Sequence, residues 1–315
     1  MKPISFRDVR GTRKTIAHSP AKIAWRWLVR FFTTGLMLSP LFLQAQSFER
    51  PGATPIYSTS TINVFDDDGI GIVSGRMPGK KAIHKFGNNV ACSTTEEDIW
   101  AAGGQYPFQI STSVVQIQAG GNAADTAAGA GAQKIVIEGL GTDWTEISNE
   151  IATNGANASL VSTSAFIRVN RAYVVDVGTY SNVTATASNV GDITIISTGT
   201  GNILAAIRAT KGQTQNSAYT VPAGKTGYLV GAQFNTSATI STTVSIYKRE
   251  NADDVTTPFS PKRLVSQSDE LRGSDNHEFR VPIKILAKTD IWATCLAASG
   301  SPAATAEFDI VLEDN

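Results

Sequence analysis

Three histidines, two cysteines and one run of aspartates are the residues whose chemistry could define this chain, and their spacing argues against most of it. His18, His84 and His277 lie far apart, and none stands in an HxxxH or HExxH pattern. Asp275, His277 and Glu278 could form an acid–base group, but no nucleophile elbow accompanies them. His277 is therefore read as a surface or turn residue at a strand start. Gly224-Lys225-Thr226 resembles the end of a phosphate-binding loop. That loop needs a glycine where Tyr219 stands and a following helix N-terminus, and here Pro222 sits between strand candidates. A type II turn with Pro222 at its first corner and Lys225 as a solvated flank is the expectation. Asp66-Asp67-Asp68-Gly69, aligned on the calcium loop of an EF-hand, leaves Val64 and Gly75 where essential ligands belong. It reads as a solvated turn. Gly69-x-Gly71 and Gly129-x-Gly131 are followed by Ser74 and Lys134, so neither is a dinucleotide fingerprint.

Cys92 and Cys295 lie in no CxxC and near no histidine, which excludes a disulfide framework and leaves a zinc site short of ligands. Nothing local joins them, and Cys295, inside IWATCLAAS, reads as a small buried hydrophobe. No catalytic, cofactor-binding or metal-ligating residue is assigned, and the chain is not expected to be an enzyme.

The elements that would position any chemistry are strands. Of the 315 residues 42% are apolar and only 17% charged, with small polar residues making up the difference. After residue 90 the chain alternates short runs of Val, Ile, Thr, Tyr and Ala with Gly, Asn, Ser and Pro, the pattern of an all-β sandwich or barrel. Strand candidates run from Phe108–Gln118 to Glu307–Leu312. Val244 and Ile246 oppose Ser245 and Tyr247, and Ile167 and Val169 oppose Arg168 and Asn170, so one face is buried and the other is wet or meets a partner. The fold class is an antiparallel β-sandwich, jelly-roll-like, as one large or two small sandwiches over residues 91–315. One brief helical turn is expected at Ser93–Trp100, where Ser93 and Glu96 have capping-box spacing. The scattered aromatics, Trp100, Trp144, Trp292, Tyr106, Tyr173, Tyr219 and Tyr228, read as core or subunit-contact anchors, with a stacking platform for sugar as the other use.

Ahead of the body, charge is polarised. Residues 1–30 hold eight of the 27 basic residues and one acid, leaving 19 basic and 26 acidic residues behind them. Residues 1–46 are an arm or a signal-like segment; Arg30 and Pro40 leave too short an apolar run for stable membrane insertion. Residues 47–90, rich in Pro and Gly, read as an extended tether with strand candidates at Ile62–Phe65 and Ile70–Val73. The acidic body is not expected to bind nucleic acid.

Several segments, EEDIWAAGGQYPF (96–108), GAQKIVIEGLGTDWTEISNEIATNG (131–155), SAFIRVNRAYVVDVG (164–178), NVGDITI (189–195), YTVPAGKTGYL (219–229), VPIKILAKTDIW (281–292) and FDIVLED (308–314), together resemble an uncharacterised group of β-rich virion structural proteins of marine tailed bacteriophages. The resemblance spans most of residues 90–315 and implies a non-catalytic particle component present in many copies. Its partners would be the major capsid protein or other virion proteins, in a homo-oligomer, with a trimer as the guess. A capsid decoration or head fibre fits first. A tail or adaptor protein touching the host surface, or a secreted glycan-binding β-sandwich, remains open. The family motif identifies no site residues.

Overall fold

Strand dominates the computed structural model, which describes residues 68–120 and 122–315. The chain enters through α1 (Asp68–Val73), β1 (Lys80–Asn89) and β2 (Glu97–Asp98). It then forms β3 (Val115–Gln118), β4 (Ala132–Leu140), β5 (Glu146–Ala152), β6 (Arg168–Val177), β7 (Ile193–Ser197) and β8 (Ile203–Ile207). It returns as β9 (Tyr219–Thr220), β10 (Lys225–Thr236), β11 (Thr242–Arg249), β12 (Arg263–Leu271), β13 (Ser274–Ile285), β14 (Asp290–Ala297) and β15 (Ala304–Asp314). Every strand pair is antiparallel.

The first and last groups make one sandwich. Its sheets are β1-β15-β10-β13 and β12-β11-β14-β2, with β9 also paired to β14. Leu229, Phe234, Phe308 and Ile310 from one sheet close on Val244, Ile246, Ile291 and Ala293 from the other. The middle group makes a second sandwich, β3-β7-β8 over β5-β4-β6, around Ile117, Ile135, Ile137, Phe166, Ile195 and Ile207. The architecture is thus all-β in two lobes, the second inserted between β2 and β9. A bridge between Trp100 and Asn216 and a 2.9 Å hydrogen bond from Ala101 N–H to the Gln215 carbonyl close the neck of the insertion.

Several expectations are corrected here. Cys92 and Cys295 are bonded, with Cα atoms 6.1 Å apart, across the core of the first lobe. The approach lies within the ordinary disulfide range, and the fold supplies what the local sequence could not. Ile70–Val73 is helical: Arg76 N–H bonds the Gly71 carbonyl and Gly75 N–H the Ile72 carbonyl, with Gly75 at φ +74°. That is a glycine-terminated helix end. Ser93–Trp100 is not helical. The Ser93 hydroxyl accepts the Thr95 N–H at 3.1 Å, while the Glu96 carboxylate is drawn away to Lys262 (2.7 Å) and Thr294 (3.1 Å). The tether does not reach residue 90, because β1 pairs with β15 along its whole length, from Lys80 opposite Glu313 to Asn89 opposite Ala304. Phe108–Gln118 shortens to β3, since Phe108 is taken into the contact between lobes. Residues 1–67, with the arm, the Ile62–Phe65 strand candidate, Asp66 and Asp67, lie outside the described residues.

Gly87 shows why β1 can sit at the sheet edge: a Cβ there would meet the Ile99 carbonyl oxygen and the Ser217 nitrogen at 2.2 and 2.6 Å. The edge strand lies against the backbone of the opposite sheet, and only glycine fits.

Candidate functional site: the cleft between the lobes

The inserted lobe lies on the outer face of β14. Ile291, Ala293 and Cys295 face the first core, whereas Asp290, Trp292 and Thr294 point the other way and are buried nonetheless. Rings pack in a chain across the contact: Trp100 and Tyr106 (5.2 Å between centroids) and Tyr106 and Phe108 (4.9 Å) edge to face, and Phe108 and Trp292 (5.1 Å) tilted. Beside them Arg168 of β6, 3% exposed, forks onto Asp290, which is fully buried: Nε to Oδ1 at 2.9 Å and Nη2 to Oδ2 at 3.0 Å. Thr220 donates to the same carboxylate at 2.6 Å and Arg249 at 3.1 Å, while Arg168 Nη1 donates to the Gln109 and Ile167 carbonyls. Arg168, expected on a face that is wet or meets a partner, is the centre of the contact, because the second face of its strand meets the other lobe of the same chain. Its guanidinium also stands 5.0 Å from the Trp144 ring centroid.

A cleft of about 740 Å³ opens next to this contact, between β1 of the first lobe and β4, β5 and β6 of the second. Lys85 reaches in from β1, only 7% exposed, and donates to the Asn170 carbonyl oxygen at 2.5 Å. Burial, with the Arg171 guanidinium nearby, pushes its ammonium down from 10.5 to about 7, against a smaller opposing pull from Glu138. No carboxylate is hydrogen-bonded to Lys85 among the described residues. The other charges are engaged. Lys81 meets Glu146 at 2.7 Å, Arg171 donates to Gln213 at 3.0 Å, and the Tyr173 hydroxyl donates to Glu138 at 3.3 Å. Tyr219, 4% exposed, also lines the cleft, and its hydroxyl is buried with no hydrogen-bond partner. Burial and then the Glu146 carboxylate hold that phenol above its ordinary range.

A second polar array lies at the far edge of the first lobe. His277 of β13 places Nδ1 2.9 Å from the Ser266 hydroxyl and Nε2 2.9 Å from Asp275 Oδ2. The Ser268 hydroxyl donates to the same carboxylate oxygen at 2.6 Å. Hydrogen bonds from Ser268 and His277 hold Asp275 below the usual carboxylate range. Ser266 and Ser268 stand on β12, the edge of one sheet, and His277 on β13, the edge of the other. The array therefore clasps the open side of the sandwich. Of the expected group Asp275, His277 and Glu278, only the first two meet here. The serines were missed because β12 is too polar to read as a strand.

The remaining candidates are dispersed. Lys225 pairs with Asp314 at 2.5 Å. Gly224 sits at φ +74° in a turn closed by Lys225 N–H on the Pro222 carbonyl, so Ala223 and Gly224 form the corners and Pro222 precedes them. Asp68 opens α1. Among the described residues no group of His, Cys, Asp and Glu has the arrangement to hold a metal ion, and no helix is long and apolar enough to cross a membrane.

No protein-family model and no curated protein matches the chain. Solved structures similar to part of it include one of the infectious bursal disease virus Gx strain, at 9% identity over 75% of this chain and 72% of that one, with a TM-score of 0.22. A VP2 subviral particle of the same virus aligns at 8% identity over 75% and 77%, TM-score 0.17. An isomalto-dextranase of Arthrobacter globiformis T6 complexed with panose aligns at 10% identity over 74% of this chain and 35% of that one, TM-score 0.19.

Proposed function

We propose that this chain is a bacteriophage virion structural protein, held on the outside of the capsid as a decoration, stabilising or head-fibre component, and that it works by binding alone. The observation that carries the reading is how apolar side chains are presented. Leu160, Tyr180 and Val183 are 86%, 106% and 86% exposed on loops of the inserted lobe. We read these three groups as the points at which a partner surface docks. Here the buried Arg168–Asp290 pair and the ring stack hold their lobe in place, so little ordering opposes docking. The disulfide between Cys92 and Cys295 agrees, since such bonds persist on virions and in secreted proteins.

The partners are the major capsid protein or another virion protein, together with sister copies in a homo-oligomer, for which a trimer suits local three-fold positions. Contacts of about 800 Å² per partner, repeated over a shell, would stiffen it. Mass spectrometry of purified particles, followed by gold labelling against this chain, tests the reading. Label on the head supports it, label on the tail favours the adaptor alternative, and absence from particles rejects both. Replacing Leu160, Tyr180 and Val183 by serine should weaken particle binding without changing the circular dichroism. Deleting residues 1–60, which spares every described element, asks separately whether the basic arm secures attachment.

A further inference from the structure

The cleft between the lobes has chemistry that attachment to a particle does not use. We propose that it binds a small monocarboxylate sugar, a hexuronate, whose carboxylate pairs with Lys85 and whose hydroxyls meet Tyr219, Glu138 and Glu146. Two buried groups point to a ligand. Lys85 has three N–H donors, and its one hydrogen-bond partner among the described residues is the Asn170 carbonyl oxygen. The Tyr219 hydroxyl has none, in a side chain 4% exposed that lines the same space. Buried polar atoms are ordinarily satisfied, and exceptions call for a missing partner.

The class of ligand follows from charge. A neutral sugar would leave the Lys85 ammonium without a counter-ion. The charged side chains that line the cleft are Lys81, Lys85 and Arg171 against Glu138 and Glu146, an excess of one positive charge, which a monoanion balances and a dianion such as phosphate exceeds. A single carboxylate on a ring of hydroxyls satisfies both constraints: the acid meets Lys85, with Arg171 behind it, and hydroxyls can donate to the glutamates. Amide groups of Asn170 and Gln213 widen the set of sugar contacts, and Phe86 and Ile147 supply apolar wall.

The groups facing Lys85 are Glu138 and Arg171 from the second lobe; Glu146, paired with Lys81 of β1, and Tyr219 line the same cleft, and His84 stands beside Lys85 on β1. With the Lys85 ammonium at about 7, its protonated fraction falls about tenfold from pH 6 to pH 8. An acid that needs the ammonium should lose affinity by the same factor.

The test is calorimetric titration of the full-length protein with D-glucuronate and D-galacturonate at pH 6 and pH 8, against acetate and methyl glucoside. Saturable hexuronate binding, about tenfold weaker at pH 8 and at least about tenfold stronger than either control, is expected. Lys85→Met should remove it. His84→Gln should keep both the binding and its pH dependence. Tyr219→Phe, which deletes a hydroxyl with no partner in the protein and so leaves the fold alone, should weaken binding several-fold. No saturable binding, equal binding of methyl glucoside, or undiminished binding by both variants overturns the proposal. Particle attachment by Lys85→Met, measured in parallel, should be unchanged, so failure here and failure of the virion reading are told apart.

Discussion

Replacing Asp290 by asparagine tests whether the lobes are held by a buried ion pair or only by their aromatic contact. The substitution keeps the shape and removes the charge that Arg168 Nε and Nη2 approach at 2.9 and 3.0 Å. Arg168 is 3% exposed, so its guanidinium would remain buried without a counter-ion. Breaking one partner of such a pair costs about 3–5 kcal/mol, chiefly through that stranded charge. Arg249 is 35% exposed, so losing its 3.1 Å contact adds about 0–1 kcal/mol. Arg168→Met should cost less, because Asp290 keeps Arg249 and the Thr220 hydroxyl at 2.6 Å. The double variant should cost less than the sum of the two, as contacting residues are not additive. Urea unfolding followed by far-ultraviolet circular dichroism and tryptophan fluorescence measures all three, with Trp144 as a reporter 5.0 Å from the guanidinium. By melting temperature the single Asp290 change corresponds to a drop of roughly 6–20 °C. A cost below about 1 kcal/mol for Asp290→Asn, or a larger cost for Arg168→Met than for Asp290→Asn, would refute the stranded-charge reasoning.

Four other outcomes follow from the same structure. Replacing Cys92 and Cys295 together by alanine should lower stability by about 2–4 kcal/mol, checked by denaturation with and without reductant; a reductant-insensitive native protein would show the bond contributes nothing. Gly87→Ala should cost about 1–3 kcal/mol, because its Cβ would collide with backbone of the opposite sheet, and a neutral result would mean β1 can shift outward freely. In the turn after β9, Gly224→Val should cost about 1–3 kcal/mol through strain at φ +74°, whereas Lys225→Ala, losing only a surface pair with Asp314, should cost about 1 kcal/mol or less. Lys85→Met should stabilise the protein more at pH 6 than at pH 9. The folded-state ammonium lies at about 7, below its ordinary value of 10.5, so the native protein holds fewer protons than the unfolded chain between those values. Wild-type stability therefore rises with pH across that window and carries its full penalty below it, and the advantage of methionine should shrink by roughly 2–3 kcal/mol between pH 7 and pH 9. Parallel pH profiles for the two proteins would rule this out.

The strands that face water on one side were the legible ones. In β15 the burial alternates from Ala304 to Leu312, and in β11 Val244 and Ile246 are buried, so the period of two survives in the residue types. Ser245, read as on the opposite face, wet or meeting a partner, is buried as well, at 3% exposure. The strand β12, RLVSQSDEL, stayed hidden because an edge strand can be polar on most of its length and still pair. The bond between Cys92 and Cys295 joins residues 203 apart, and no local pattern reports a closure of that length.

The inserted lobe explains most of what pattern reading missed. Alternation assigns the second face of a strand to solvent, and that assumption fails wherever another lobe covers it. On β14 the covering turns DIWATC into a run buried on both faces, with Trp292 and Asp290 on the side that reading would expose. On β6 it buries Arg168, whose neighbours in AFIRVNRAYVV give it the spacing of a surface residue. On β1 it buries Lys85, one of three lysines between residues 80 and 86 with Lys80 and Lys81, at the end of a stretch whose Pro and Gly content made it look like a tether. These burials have different consequences. Arg168 finds Asp290, and the pair holds the lobes together. Lys85 finds a backbone carbonyl and no acid, beside a phenol that finds nothing. A fold that satisfies one buried cation with a fork of hydrogen bonds and leaves its neighbour facing an open cleft separates, on physical grounds, the residue that builds the contact from the residue available to a ligand.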